Sequence, residues 1–315
     1  MRRNWWNHSR TVVLIWALSF SVFLLLLRLM MDAQNRSSLI AESQGGKVSD
    51  RMRREMLYDK MEKDLDKHGA VFLKHGETSQ SLSLLELFTL VDGVVTPVLK
   101  AANPPVRANV LYLSPTYSKP LAEAVRQVFS PYFDKAIWFQ NSSLYHFSMF
   151  HASHHISPVL ASDSEIDAEA AAVKGVTQGI CPLRIILDRV VLTSTGVLLG
   201  CWQVVSGTDP ISVRAELKKA LPCAPEKQLY DAAILHTSFA RLLGPPTTSS
   251  VDKAAPSLQL QFFHELVARV NNQIRGFEAT VSELWYVVEY DVLALALDGR
   301  MEVRRFELRC LGSGS

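Results

Sequence analysis

The sequence predicts an α+β fold with two lobes, in which mainly antiparallel sheets flank a central cleft and helices lie outside, preceded by an N-terminal transmembrane helix. Three observations lead to this expectation. Helical and strand-like segments alternate along most of the chain. Several strands are too short for a doubly wound parallel sheet, and hairpin-like connections recur. One uncharged apolar run near the N-terminus is long enough to cross a bilayer.

The apolar run begins at Thr11 and reaches Met31 if one arginine within it extends toward the lipid head groups. A membrane-spanning helix needs about 20 apolar residues, so we expect residues 11–31 to anchor the chain in the lipid bilayer. A cleaved secretory signal is the alternative. Arginines but no acidic residues precede the run, which predicts that residues 1–10 are cytosolic. The expected protein is therefore a single-pass type II membrane protein of the endoplasmic reticulum, the Golgi or the plasma membrane.

A polar stretch rich in Ser, Gly and Gln follows the predicted anchor and leads into a segment of mixed charge with a weak apolar stripe. This pattern is typical of a stem that ends in a solvated stalk helix. We therefore expect residues 32–68 to form a stem, residues 69–310 to form the folded domain, and residues 311–315 to be a disordered tail.

Within the domain, helices and strands are assigned from apolar spacing and from capping residues. Asp209 with Pro210 is a typical helix start, and Gly276 is a typical helix end. Helices are predicted before Pro97 and over residues 119–129, 164–174, 209–221 and 257–276. Strands are predicted over residues 106–114, 135–140, 144–150, 183–192, 196–205, within 232–243, and over 284–308, where Asp298-Gly299 is expected to form a hairpin turn.

The overall composition excludes an extended nucleic-acid surface. The formal net charge is +2, from 33 basic and 31 acidic residues, so no strong positive field is available for a long polyanion. A mononucleotide or a short RNA end remains a possible ligand. The four cysteines form no C-x-x-C pair, which argues against a structural zinc site but permits one or two disulfides in an oxidising compartment. The sequence does not indicate an oligomeric state.

Two short strand-like segments each place a histidine and a serine two residues apart. These are His146 with Ser148 in "YHFSMF" and His236 with Ser238 in "LHTSFA". Residues i and i+2 of a strand lie on the same face, so each pair is expected to lie on one face with apolar side chains behind it. Two further H-x-S matches occur at His151 and His155, and about one match is expected by chance.

The motifs "HFSM" and "HTSF" resemble the paired H-x-[ST]-x motifs of the two-histidine phosphoesterases, which include cyclic nucleotide phosphodiesterases and enzymes that process RNA 2′,3′-cyclic phosphates. The resemblance covers about Val106 to Leu308. It implies a metal-independent phosphodiesterase without a cofactor, acting on a cyclic nucleotide or an RNA 3′ end. By the same resemblance, His146 and His236 are the catalytic acid and base in either order, and serines 148 and 238 bind the phosphate.

The other histidines are given simpler interpretations. His151, His154 and His155 are expected in a loop after the first motif strand, although the spacing of His151 and His155 also allows a metal site on a helix face. Two other functions stay open. The same fold can serve as a non-catalytic ligand-binding or interaction module, and a Golgi glycosyltransferase shares the anchor and stem, although the chain has no D-x-D motif.

Overall fold

The computed structural model describes residues 49–74, 82, 84–91, 94–133, 135–247 and 256–310. The predicted cytosolic segment, the anchor and the C-terminal tail lie outside these residues. Among the described residues no helix is long and apolar enough to cross a membrane. A compact unit starts at Ser49.

The described chain alternates helices with strands. The helices are α1 (Asp50–Glu62), α2 (Asp64–His68), α3 (Leu84–Leu87), α4 (Pro115–Phe133), α5 (Asp163–Thr177), α6 (Pro210–Ala220), α7 (Pro256–Ile274) and α8 (Ala294–Leu297). The strands are β1 (Phe88–Val91), β2 (Val94–Pro97), β3 (Ala101–Tyr112), β4 (Ile137–Phe139), β5 (His146–Ser153), β6 (Leu183–Leu192), β7 (Val197–Ser206), β8 (His236–Leu242), β9 (Glu278–Val281), β10 (Glu283–Asp291) and β11 (Met301–Glu307).

These strands form three antiparallel sheets in the described part of the chain. A four-stranded sheet has the order β11-β10-β3-β5, a five-stranded sheet has the order β4-β8-β7-β6-β9, and β1 pairs with β2. Every pairing in them is antiparallel. The predicted α+β class with antiparallel sheets is therefore confirmed.

One large apolar core lies between the helices and the two larger sheets. From α4 it takes Val125 and Phe129, and from α7 it takes Phe263 and Val270. Phe147 of the first motif strand and Phe239 of the second belong to the same core. The residues that alternate with the histidines and serines are thus the ones that fix the motif strands on the helical layer.

Two local predictions are wrong. The segment before Pro97 forms the one-turn helix α3 and then the β1–β2 hairpin, in which Thr89 pairs with Thr96, because β-branched residues pack well in strands. The turn predicted at Asp298-Gly299 belongs to a longer connection that includes α8. Both Leu293 and Asp298 adopt left-handed backbone conformations beside this short helix.

The compact unit starts at Ser49, about twenty residues before the predicted boundary at residue 69, and it includes α1. Helix α1 is not a solvated stalk, because Arg54 and Tyr58 are both buried against the domain. A disulfide joins Cys181, just before β6, to Cys310, just after β11.

Candidate active site

The first motif occupies β5, the edge strand of the four-stranded sheet. His146 and Ser148 are half-buried, whereas Phe147 and Met149 are buried, as the alternation predicts. Their register partners on β3 are Tyr112 and Val110, which lie two residues apart. The two motif side chains therefore share one face of this sheet, called here its motif face.

The second motif occupies β8, an internal strand of the five-stranded sheet. His236 and Ser238 are again half-buried, and the intervening Thr237 is fully buried. Their partners on β7 are Cys201 and Leu199, so the pair also lies on one motif face. The sequence-predicted alternation is thus present in both strands.

Each motif strand contains an irregularity directly after its serine. On β5 Met149 has no register partner, and on β8 Phe239 has none. An extra residue reverses the alternation of side chains along the strand. As a result, the residue five positions after each motif histidine lies on the motif face. On β5 this residue is His151, which pairs with Ala108, and on β8 it is Arg241, which pairs with Val197.

The two motif strands contact each other through the backbone of the first histidine. The Thr237 hydroxyl donates a hydrogen bond of 3.3 Å to the carbonyl of His146. A positive charge on His146 is also close enough to lower the pKa of His236. The sheets therefore bring the two predicted catalytic imidazoles into electrostatic contact.

Arg214 of α6 links β5 to the segment that leads into β8. Its buried guanidinium donates to the carbonyls of Ser148 (2.9 Å) and Met149 (3.0 Å) on β5. It also donates to the carbonyls of Ala232 (2.7 Å) and Ile234 (2.8 Å), in the segment that leads into β8. One side chain thereby sets the relative position of the two motifs.

Electrostatics keep the imidazoles of this site neutral. Burial lowers the pKa of His236 to about 3, and the charges of Arg214 and His146 act in the same direction. Burial also lowers the pKa of His146, although a hydrogen bond between its Nδ1 and the Leu144 carbonyl (2.8 Å) opposes this shift. Both groups are therefore uncharged near pH 7 in the free protein.

Arg241 brings a positive charge to the second motif strand. Its Nη1 is buried and has no hydrogen-bond partner within the described residues. Burial lowers its pKa to about 10, so the guanidinium is still protonated near neutral pH. A buried donor without a partner is unfavourable, and residues of this kind concentrate at binding sites.

Sequence reasoning missed Arg241 because strict two-residue alternation assigns it to the face opposite His236. Only the extra residue Phe239 moves it to the motif face. The sequence nevertheless contained one sign of it, namely an arginine in the otherwise apolar stretch "FARLL".

The prediction that His151 lies in a loop is wrong, because β5 continues to Ser153. His151 is buried, and burial, followed by the charge of His154, lowers its pKa to about 3. The side-chain amide of Gln228 accepts a hydrogen bond from the His151 backbone N–H (2.7 Å) and donates one to the His151 carbonyl (3.0 Å), along the open edge of the sheet.

His154 follows the strand, and its ring nitrogens contact the Lys227 carbonyl and the Ser157 backbone N–H. A shared helix face for His151 and His155 does not form, since His151 belongs to a strand. No cluster of three or more His, Cys, Asp or Glu side chains within the described ranges is arranged to hold a metal ion.

Comparisons with known proteins give a distant structural likeness only. No protein-family profile matches the chain, and no curated protein matches it by sequence. Among solved structures, TT0787 of Thermus thermophilus is 12% identical with a TM-score of 0.43, and apo E. coli LigT is 12% identical with a TM-score of 0.40. Usb1 of Kluyveromyces marxianus, solved with uridine monophosphate, is 13% identical with a TM-score of 0.33. Each match covers 65% of this chain and 97% or 98% of the other protein.

Proposed function

We propose that this chain is a phosphodiesterase that opens 2′,3′-cyclic phosphates, or related cyclic phosphates, of nucleotides or RNA ends. The observation that carries the proposal is the matched geometry of the two motifs. In each strand a half-buried histidine and a half-buried serine share a face, and the Thr237–His146 hydrogen bond holds the two strands together. The resemblance of "HFSM" and "HTSF" to the two-histidine phosphoesterases supports the same assignment.

The reaction needs one base and one acid. A neutral imidazole, of His146 or His236, takes a proton from water as the water oxygen forms a bond to phosphorus. The bond from phosphorus to one ribose oxygen breaks, and the other imidazole, in its protonated form, gives that oxygen a proton. The product is a phosphomonoester, and both imidazoles must then exchange protons with solvent before the next turnover.

Three further side chains have a role in binding the phosphate. The hydroxyls of Ser148 and Ser238 would donate hydrogen bonds to phosphate oxygens, and each well-placed donor contributes about 3 kcal/mol to the transition state. Arg241 would supply the positive charge, because its buried Nη1 lacks any acceptor in the described chain. A phosphate oxygen is the acceptor that this geometry fits best.

The test is turnover of 2′,3′-cyclic mononucleotides by the full-length chain in excess chelator. We expect activity that survives chelation and falls by roughly 10² to 10⁴ in each of His146→Ala and His236→Ala. His264→Ala is the matched control, because His264 is on α7, where its Nε2 contacts Asp66. Activity that disappears with chelator, or that the control loses equally, would refute the proposal.

A non-catalytic phosphate-binding module is the second candidate. The low pKa of His236, about 3, favours it, because a general acid must be protonated to act. Binding of a cyclic nucleotide without any turnover between pH 4 and pH 8, tested by calorimetry and product analysis, would identify this function instead.

We also propose that residues 11–31 anchor the chain in a bilayer, with the domain on the lumenal or extracellular side. The Cys181–Cys310 disulfide supports an oxidising compartment for the domain. Asn7 begins an N-x-S glycosylation sequon on the N-terminal side of the predicted anchor. Glycosidase treatment of the protein from cells tests the orientation, since a glycan on Asn7 would place the N-terminus in the lumen instead.

A further inference from the structure

Helix α1 lies on the motif face of the five-stranded sheet. Its Tyr58 is fully buried in an apolar cluster that includes Leu199 and Cys201. These two residues of β7 are the register partners of Ser238 and His236. The helix that precedes the rest of the domain is therefore a direct neighbour of the second motif.

The hydroxyl of Tyr58 contacts the backbone immediately before His236. It lies 2.7 Å from the carbonyl of Trp202 and 2.8 Å from the carbonyl of Leu235, to either of which its single proton can be donated. It also accepts the Leu235 backbone N–H at 3.2 Å. Both polar groups of the residue before the catalytic histidine thus contact one side chain of α1.

Arg54, one turn earlier on α1, holds the same segment from a second point. Its guanidinium forms a bidentate ion pair with Asp209 (3.1 and 2.7 Å) and donates to the carbonyl of Ala233 (3.4 Å). Asp209 is the N-cap of α6, which carries Arg214. Arg54 therefore connects α1 to the residue that ties the two motifs together.

We propose that Tyr58 and Arg54 are positioning residues for His236. They fix the backbone of residues 233–235, and this sets the direction in which the imidazole meets the phosphorus or the ribose oxygen. The inference rests on the proposed function and assigns to α1 a part in catalysis that the two motifs alone do not contain. It also means that a fragment without α1 would carry a poorly oriented second motif.

The test replaces Tyr58 by phenylalanine in the full-length chain, which removes only the hydroxyl. Because a small misplacement of a catalytic group lowers the rate strongly, we expect kcat to fall about tenfold or more, with KM changed less than about twofold. Tyr286→Phe is the matched control, since it removes another buried tyrosine hydroxyl, bonded to Glu169 rather than to a motif strand. It should lower stability but leave kcat unchanged.

A second variant, Arg54→Lys, keeps one positive charge beside Asp209 but loses the paired geometry. We expect kcat to fall less in Arg54→Lys than in Tyr58→Phe. Wild-type kcat in both variants, or an equal fall in Tyr286→Phe, would overturn the positioning role.

A readout that does not need turnover separates this inference from the proposed function. In protein labelled with ¹³C-histidine, the His236 resonance is assigned by its loss in His236→Gln and is then titrated with inorganic phosphate. If wild-type protein shows no turnover, the proposed function fails, and this resonance still decides the positioning. A phosphate-induced shift that changes in Tyr58→Phe and not in Tyr286→Phe supports the inference, and an unchanged shift overturns it.

Discussion

Replacing Arg241 by methionine should stabilise the protein while weakening its activity. The Nη1 of Arg241 is buried without a partner among the described residues, and burial lowers its pKa to about 10. An unsatisfied buried donor costs about 1 to 3 kcal/mol, and methionine fills a similar volume without polar atoms. We therefore expect the free energy of unfolding of Arg241→Met to rise by about 1 to 2 kcal/mol.

The same substitution should lower kcat/KM on a cyclic phosphate. A hydrogen bond from a charged donor contributes about 1.5 to 3 kcal/mol, which corresponds to a loss of roughly ten- to 150-fold. Opposite changes in stability and activity are the expected signature of a residue retained for binding rather than for folding.

Arg214→Met is the matched control, because it removes a second guanidinium near the same strands, one that does have hydrogen-bond partners. Arg214 donates to four backbone carbonyls at 2.7 to 3.0 Å. At about 1 kcal/mol for each hydrogen bond, its loss should lower the free energy of unfolding by about 4 kcal/mol. The two substitutions thus change stability in opposite directions.

The assay is urea unfolding followed by tryptophan fluorescence, with linear extrapolation to water, together with steady-state kinetics on the same preparations. If Arg241→Met lowers stability and activity in parallel, its guanidinium has a structural partner, and its assignment to the phosphate is wrong. If Arg214→Met leaves the midpoint unchanged, the four carbonyl contacts do not hold the strands together.

Three further outcomes are expected. The optimum of kcat/KM should lie below about pH 6.5, because burial lowers the pKa of both His146 and His236 in the free protein, and an optimum above about pH 7.5 would contradict this. His151→Gln should reduce the loss of stability between about pH 6.5 and pH 3 in urea unfolding. Since the native pKa of His151 is about 3, only the unfolded chain takes up this proton over that range, and an unchanged pH dependence would refute the assignment. Cys310→Ser should lower the free energy of unfolding by about 2 to 5 kcal/mol, because the disulfide closes a loop of 129 residues, and a change below about 1 kcal/mol would contradict it.

The parts of the fold that were predicted correctly depend on local patterns. The cap at Asp209, with its carboxylate accepting the Ile211 backbone N–H, and the helix end near Gly276 appear where the sequence indicated them. The alternation in β5 and β8 also placed both histidines and both serines correctly relative to their buried neighbours. These features need only residues close together in the chain.

Apart from the two local errors at the β1–β2 hairpin and at the Asp298-Gly299 turn, the errors concern contacts between distant residues. Helix α1 has a weak apolar stripe, yet it is part of the domain because Arg54 and Tyr58 find polar partners about 150 or more residues away. Arg241 and His151 reach the motif faces only because Phe239 and Met149 break the register. A strand irregularity depends on its neighbours in the sheet, so alternation along one segment does not reveal it.

The charges around the two motifs connect substrate binding to proton transfer. Besides burial, the charges of Arg214 and His146 lower the pKa of His236. A phosphate bound between the motif faces would bring a negative charge to both rings and favour their protonated forms. The pKa of the general acid should therefore be higher in the complex than in the free protein. Because kcat reports groups in the complex and kcat/KM reports groups in the free protein, the optimum for kcat should lie at a higher pH than the optimum for kcat/KM. Coincident optima would mean that the phosphate does not lie beside these imidazoles.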